Sequence, residues 1–378
     1  MTPHPLVTLD IGSTKVACAV GLPYEHAAGF ELLGSSVVPY PSLSNVWLGD
    51  LLMVSRTIEQ ALEATAIRGD FDRALVAIRH PLLMSERVRV SVTLGDEPVA
   101  VRAQDLDRLQ TAALDQVLGV DREPLLMERL GCDGNGFDGV RDPRGLSATR
   151  LFGTFHIITL PMSARRALVQ AVEAAGLEVA KLTYTLPASM ASVEDEAAQR
   201  QRVLLIDVGG LATDVGVFAD GILQAVHIAP WGGVTLATAV AKELGVTMEQ
   251  AVTWTLEGTG CRKPQVRELI ERQWTSLHRD IEGLLKGEPR PDQVLVTGRG
   301  ALIDGFAEWV ERRLSIPTSV GRNAKVTRTG DLGRQVGLSA AIGALEMAAQ
   351  QRNGFSIRSP HFLNRVIDQT RTILTEYF

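Results

Sequence analysis

The sequence predicts an α/β protein made of two duplicated domains facing one another across a phosphate-binding cleft. A small inserted subdomain and a C-terminal amphipathic helix complete the expected architecture. Three observations lead there. A unit of strand, aspartate, glycine turn and strand occurs twice, as VTLDIGSTKVACAVG at the start and as VLLIDVGG with TDVGVFADG half a chain later. A supersecondary unit repeated at that spacing marks duplicated domains. Between the copies lies a stretch of different texture, residues 82–160, and the 378-residue length exceeds what one core normally organises.

Composition narrows the function. With 45% hydrophobic and 22% charged residues the chain is an ordinary globular protein, neither disordered nor a fibrous repeat. The 38 Lys and Arg against 44 Asp and Glu give a net charge of −6, which offers no electrostatic footprint for nucleic acid. Cys18, Cys132 and Cys261 are far apart and in no metal-ligand spacing, so reduced thiols are expected. The opening MTPHPLVTLDIG has no basic region or cleavage site, and no apolar run approaches the ~18 residues of a membrane span; a cytosolic protein is expected unless something docks it.

The elements follow in order. PLVTLD and KVACAVG read as two apolar strands joined by the turn Ile11-Gly12-Ser13-Thr14, with Asp10 at the bend. Leu51, Val54, Ile58, Leu62 and Thr65 define one face of a helix over Leu51–Ala66, and Ala74–Ile78 is a short apolar run. Val88, Val90 and Val92 alternate in a strand, a helix is expected around Asp105–Val117, Gly131–Gly145 reads as a Gly- and Asp-rich loop, and LFGTFHIITL closes the insertion as a strand. Ser163 is the expected cap of a helix with Ala167, Leu168, Ala171, Val172 and Ala175 on its apolar face, stopped by Gly176.

After the second hairpin, a helix over Val234–Leu244 precedes one opened by Thr247 with Gln250 three residues on, a capping-box pattern. A longer helix over Gln265–Leu285 carries the stripe Val266, Leu269, Ile270, Gln273, Leu277, Ile281 and Leu284. QVLVTGRG then gives a buried strand ending in a glycine turn, and ALIDGFAEWVERRL a helix.

An aspartate at the bend of a glycine-containing hairpin can hold hydrated Mg²⁺, while the turn's backbone N–H groups and small hydroxyls cradle phosphate oxygens. Asp10, Gly12, Ser13, Thr14 and Lys15 fit that description, as do Asp207, Gly209, Gly210 and Asp214 in the second copy. With the turn Thr297-Gly298-Arg299-Gly300 near the base or ribose, they make a phosphate clamp between two lobes. Three constellations in this order resemble the actin, Hsp70 and sugar-kinase superfamily.

Within that superfamily the chain is most similar to the bacterial cell-division protein FtsA. LDIGSTKVACAVG resembles its opening motif, and GVRDPRGLSATRLFGTFHIIT the end of its inserted subdomain. VLLIDVGGLATDVGVFADGIL, the following PWGG and VLVTGRGALIDGF resemble its later motifs in order. The resemblance implies an actin-like domain from 1–81 and 161–192, an FtsA-type (SHS2) subdomain at 82–160, a second actin-like domain from 193–240 and 292–350 with a shortened small subdomain at 241–291, and a linker and helix at 351–378. It also implies ATP and Mg²⁺ as cofactors, with Asp10 reaching Mg²⁺ through water and with Gly232, Gly233, Gly298, Arg299 and Gly300 adding to the site. Its implied partners are an FtsZ-like division filament, a second copy of the chain and the inner face of the cell membrane.

The tail fits the last of these. Arg352–Ser359 reads as a linker, and Pro360 opens a helix with Phe362, Leu363, Val366, Ile367, Ile373, Leu374, Tyr377 and Phe378 on one face and Thr370 as its polar member. Such a stripe binds a bilayer interface, or else packs on its own domain or a partner. Arg365 and Arg371 are offset by Asp368 and Glu376, so anionic lipid adds little attraction.

The chain departs from the family in one pocket. Leu211 and Ala212 follow Gly209 and Gly210 where the family continues with Gly and Thr, Arg299 replaces a glycine, and Trp254 stands where the family has a lysine facing the nucleotide. The segment Gly258–Pro291, in the lobe that receives the FtsZ peptide in the family, is short. An eroded site with weak or absent hydrolysis is expected, and hence an adaptor that works by binding and not by turnover. The alternatives are a PilM-like adaptor of type IV pilus assembly, and a sugar or acetate kinase, which would need a catalytic carboxylate such as Asp207 or Asp214.

Overall fold

A computed structural model describes residues 4–25, 27, 29–41, 50–69, 71–193, 201–255, 263–321, 323 and 331–352. Cys261 and the expected amphipathic tail, Phe362, Leu363, Val366, Ile367, Ile373, Leu374, Tyr377 and Phe378 included, lie outside the described residues. The fold has two compact units: Met1–Leu82 together with Ala164–Ala349, and Leu83–Ser163.

The first unit opens with β1 (Leu6–Ile11), β2 (Lys15–Pro23) and β3 (Phe30–Pro39), an antiparallel meander. β1 and β2 are buried almost throughout, as their unbroken apolar runs require, whereas the half-polar β3 lies at the sheet edge. α1 (Leu51–Glu63) begins at Asp50, whose Oδ1 accepts the Met53 N–H at 2.9 Å, and buries Val54, Ile58 and Ala61. β4 (Arg73–Ile78) runs parallel to β1.

The second unit follows, with β5 (Met84–Thr93), β6 (Val99–Ala100), α2 (Ala103–Val117), β7 (Arg122–Gly134), β8 (Phe137–Val140), β9 (Ser147–Ala148) and β10 (Arg150–Pro161). Its sheet has the order β5-β10-β7-β8, and α2 buries Leu106, Leu109 and Leu114 in one cluster with Val88, Leu151, Phe155 and Ile157. The loop expected over Gly131–Gly145 is largely a hairpin instead: β7 runs to Gly134 and β8 returns from Phe137, with Gly136 at φ +79° in the turn. Its glycines serve the bend rather than an open loop.

The chain re-enters the first unit through α3 (Met162–Ala174), which starts one residue before the expected cap Ser163, and Gly176 at φ +80° ends the approach to β11 (Glu178–Tyr184). Then come α4 (Thr185–Ala191), the meander β12 (Arg202–Val208), β13 (Thr213–Ala219) and β14 (Ile222–Ala229), and α5 (Gly233–Leu244). α6 (Met248–Thr255) carries the expected reciprocal box: Thr247 N–H donates to Gln250 Oε1 and Gln250 N–H to Thr247 Oγ1, both at 3.2 Å. In α7 (Pro264–Leu285) the buried stripe contains Trp274 where the periodicity placed Gln273. β15 (Gln293–Thr297) ends in a 3₁₀ turn over Arg299–Leu302, and the helix expected from Ala301 begins only at Phe306, because Gly305 adopts φ +79°. α8 (Phe306–Leu314), β16 (Thr318–Val320), α9 (Leu332–Gly337) and α10 (Ser339–Arg352) complete the described chain.

The two sheets of this unit have the same architecture. The orders are β3-β2-β1-β4-β11 and β14-β13-β12-β15-β16, each an antiparallel meander extended beyond its first strand by two successive parallel strands. The repeat read from two hairpins therefore extends to five strands. α10 covers the first sheet, placing Ala341, Ile342 and Leu345, with Leu338 just before the helix, against Ala17, Ala19 and Phe30. α4 and α10 meet through Ala188, Ala340 and Ala344, small residues that permit close backbone approach.

Candidate functional site

Asp10 and Asp207 are each the penultimate residue of the first strand of their meander, at the lip of a glycine turn. The turns after β1, β12 and β15 meet at a cavity of about 220 Å³. Of the residues the sequence singled out, Asp10, Gly12, Ser13, Thr14, Lys15, Asp207, Gly209, Gly210, Gly233, Gly298, Arg299 and Gly300 line it. Two expected residues do not. Asp214, opposite Asp207 in the β12–β13 register, has a fully buried side chain behind the lining. Gly232 is packed against the carbonyls of Gly209 and Gly210, so it is Gly233 that reaches the cavity. Leu211 and Trp254 also lie off the lining; Trp254 packs on the first unit's core around Trp274 and Phe306, with the Lys263 ammonium 3.3 Å from its ring centroid.

The residue that dominates the site was not singled out from the sequence. Arg79 follows β4 directly and is buried among the second hairpin's acceptors. Its Nε donates to Asp214 Oδ2 at 2.7 Å, and its Nη2 lies 3.0 Å from Asp207 Oδ1 and donates to the Asp207 carbonyl at 3.3 Å. Its Nη1 donates to the Ala212 carbonyl at 3.4 Å. Burial alone would disfavour the charge, but Asp207 and Asp214 more than offset it and hold the guanidinium above its ordinary pKa. Burial, foremost, pushes the Asp214 carboxyl up, Asp207 adds to that, and Arg79 pulls against both. Burial and the neighbouring Asp214 likewise push the Tyr184 hydroxyl well up.

The signal that marks Arg79 lies in strand register, which the sequence alone does not show. In register, Ala77 stands beside Asp10 as Thr297 stands beside Asp207. Two residues further on, the first half has Arg79 and the second has Arg299, so the pair are counterparts in the duplication. One is buried as a counter-ion and the other is exposed at the cavity lining.

Further polar groups are satisfied within the chain, whereas Asp214 Oδ1 and Thr185 Oγ1, the latter at the lining, are buried without a hydrogen-bond partner among the described residues. Lys15 Nζ donates to Asp10 Oδ2 at 2.8 Å and to the Gly337 carbonyl at 2.6 Å, and Ser189 Oγ donates to Asp207 Oδ2 at 3.1 Å. The turn amides of Gly12 and Gly209 donate to the Lys15 and Ala212 carbonyls, both at 3.0 Å. The first amides of α5, Gly233 and Val234, donate to the Gly209 and Gly210 carbonyls at 2.9 and 2.8 Å, although a helix N-terminus is otherwise suited to anions. The two hairpins touch directly: Leu211 N–H donates to Ser13 Oγ at 3.2 Å, and a Cβ on Gly210 would collide with the Thr14 methyl.

The fold class implies ATP with Mg²⁺ at such a cleft. The carboxylates present do not fit the metal, because Asp207 and Asp214 are engaged by Arg79 and Asp10 by Lys15. The cavity, about 220 Å³, is also smaller than the roughly 300–1,000 Å³ typical of cofactor pockets. Among the described residues no group of three or more His, Cys, Asp or Glu side chains is placed to hold a metal ion.

Two five-stranded sheets of identical order, each with an aspartate-bearing hairpin at a shared cavity, and a second α/β unit inserted into the chain between β4 and β11 of the first sheet define an actin-like fold with an SHS2 insertion. Residues 82–159 match the family model described as the SHS2 domain inserted in FTSA. Along nearly the whole chain there is distant similarity to the cell division protein FtsA of Pseudomonas aeruginosa, 24% identical over 387 aligned residues, covering 93% of this chain and 91% of that protein. Two solved structures share the fold. The PilM-PilN type IV pilus biogenesis complex contains a chain that matches with a TM-score of 0.68 at 14% identity, covering 91% of this chain and 98% of that one. MreB 5 of Spiroplasma citri bound to AMPPNP matches with a TM-score of 0.52 at 12% identity, covering 93% and 98%.

Proposed function

We propose that this chain is an actin-like adaptor of cell division that sits at the cytoplasmic face of the membrane, assembles with copies of itself and links an FtsZ-like filament to the lipid. It works by binding and positioning, not by nucleotide turnover. The observation that carries the reading is the pairing of duplicated actin-like halves with an insertion, residues 82–159, that matches the SHS2 domain inserted in FTSA. No described helix is long and apolar enough to cross a membrane, so attachment falls to the apolar stripe of residues 360–378. Absence of turnover is supported by the site: a phosphoryl-transfer enzyme depends on positioned phosphate contacts and a metal, and here Asp10, Asp207 and Asp214 face cations of the chain while the Gly12, Gly209 and Leu211 amides donate within it.

Liposome co-sedimentation tests the reading, comparing the full chain with a truncation ending at Asn353, in EDTA and in ATP with Mg²⁺. The full chain is expected to pellet with lipid and the truncation to stay in the supernatant. If both stay soluble in every condition, the membrane role is lost. The likeness to the chain of the PilM-PilN complex favours a second reading, an adaptor of pilus assembly. Co-pelleting with a pilus-assembly peptide and not with an FtsZ-like filament would select it.

A further inference from the structure

We propose that Arg79 takes the place of a divalent cation in this site, so that the chain itself, with neither metal nor nucleotide, holds the paired hairpins together. Asp207 and Asp214 are directly opposite in an antiparallel pair, where two like charges repel. Both are buried, with side-chain exposures of 9% and 0%. Such a pair stays fully ionised only beside a cation, and in an actin-like cleft a hydrated metal carried by a nucleotide is the expected one. Here the cation is covalently part of the first half of the fold, at the end of β4, while every acceptor it meets belongs to the β12–β13 hairpin.

The guanidinium suits this task better than a metal would. Its planar fork reaches a carboxylate, a second carboxylate and two backbone carbonyls at once, and it does not lose its proton at any ordinary pH. Mg²⁺ would need near-octahedral oxygen coordination with several retained waters, in the space where the guanidinium contacts both carboxylates at 2.7 and 3.0 Å. Lys15 treats the third carboxylate, Asp10, in the same way and ties it to the Gly337 carbonyl. The consequence is a cleft whose closure is constitutive. This inference goes beyond the adaptor reading and stands apart from it: the adaptor reading falls on lipid pelleting, this one on metal response.

Thermal unfolding of the full chain, with Mn²⁺ binding followed by electron paramagnetic resonance, provides the test. The wild-type melting temperature should be the same in EDTA, in Mg²⁺ and in ATP with Mg²⁺, with no Mn²⁺ bound. Arg79→Gln should melt lower in EDTA, recover in Mn²⁺ with one ion bound, and lose that recovery when Asp207→Asn is added. A wild-type chain that binds Mn²⁺, or that is stabilised by ATP with Mg²⁺, overturns the proposal. So does an Arg79→Gln chain that melts like wild type in EDTA. If Arg79→Gln fails to fold, the double variant Arg79→Gln/Asp214→Asn decides: folding without metal response supports the proposal, and failure to fold overturns it.

Discussion

At Cys18, in the middle of β2, the side chain is fully buried between Ala17 and Ala19, and burial pushes its thiol up to about 12. Cys132 in β7 is pushed up to about 11, again chiefly by burial. An unfolded chain releases such protons near pH 8.5. The folded pKa being the higher, the stability contributed by these groups is fully present below the unfolded value and is lost as pH rises through the window from about 9 towards 12. Iodoacetamide at pH 8 should therefore leave both cysteines unlabelled in the native protein and modify both in denaturant, as read by peptide mass spectrometry. Rapid native labelling of Cys18 would contradict its placement. At this scale the sequence disclosed the aspartates, because the DxG turn occurs twice, and it concealed Arg79. That residue has meaning only through strand register: nothing in Ile78-Arg79-His80 shows that β4 ends beside Asp10, or that Asp214 lies opposite Asp207.

Elements were legible where one face alone is buried. α1 and α7 show clear stripes, and the Gln273 misassignment in α7 is an offset of one position, with Trp274 at the buried place. α10 shows no stripe because small and apolar residues occupy several of its faces. It meets the first sheet through Ala341, Ile342 and Leu345, and meets α4 through Ala340 and Ala344. That second contact is close enough that a Cβ on Gly343 would collide with the Ala188 carbonyl oxygen. Helix propensity alone favours Gly343→Ala by about 0.8–1.0 kcal/mol. Overpacking costs about 1–3 kcal/mol, and the obstacle here is backbone, which cannot rotate away as a side chain can. With a backbone obstacle the steric term falls at the upper end of its range and should win, giving net destabilisation of up to about 2 kcal/mol in urea unfolding. An unchanged or higher midpoint would show that the two helices separate easily. The β7–β8 hairpin was missed for a related reason: its glycines signal a bend without telling a tight turn from a long loop.

For the whole molecule, the duplication was legible because it is written in chemistry, an aspartate and glycines at fixed spacing, while the partner strands β11 and β16 carry no such marks and had to come from the structure. The same view separates two cores. The first unit contains the cluster of Trp231, Trp274, Phe306 and Trp309, with ring centroids 5.4–6.4 Å apart. The second is organised by Leu106, Leu109, Leu151, Phe155 and Ile157. Two cores of this kind unfold as separate cooperative units unless a large interface joins them. The tryptophans make the distinction measurable, since none of the five lies within residues 83–163. Tryptophan fluorescence thus reports the first unit alone, whereas far-ultraviolet circular dichroism reports both. A urea titration followed by the two probes should give non-coincident curves, the dichroism showing an extra transition where fluorescence is flat. Deleting residues 83–163 should remove that extra transition and leave the fluorescence midpoint within about 0.5 kcal/mol of the full chain, the range within which independent sites behave additively. Coincident curves, or a deletion that abolishes the fluorescence transition, would mean that the inserted unit is an integral part of the actin-like core and not a module carried by it.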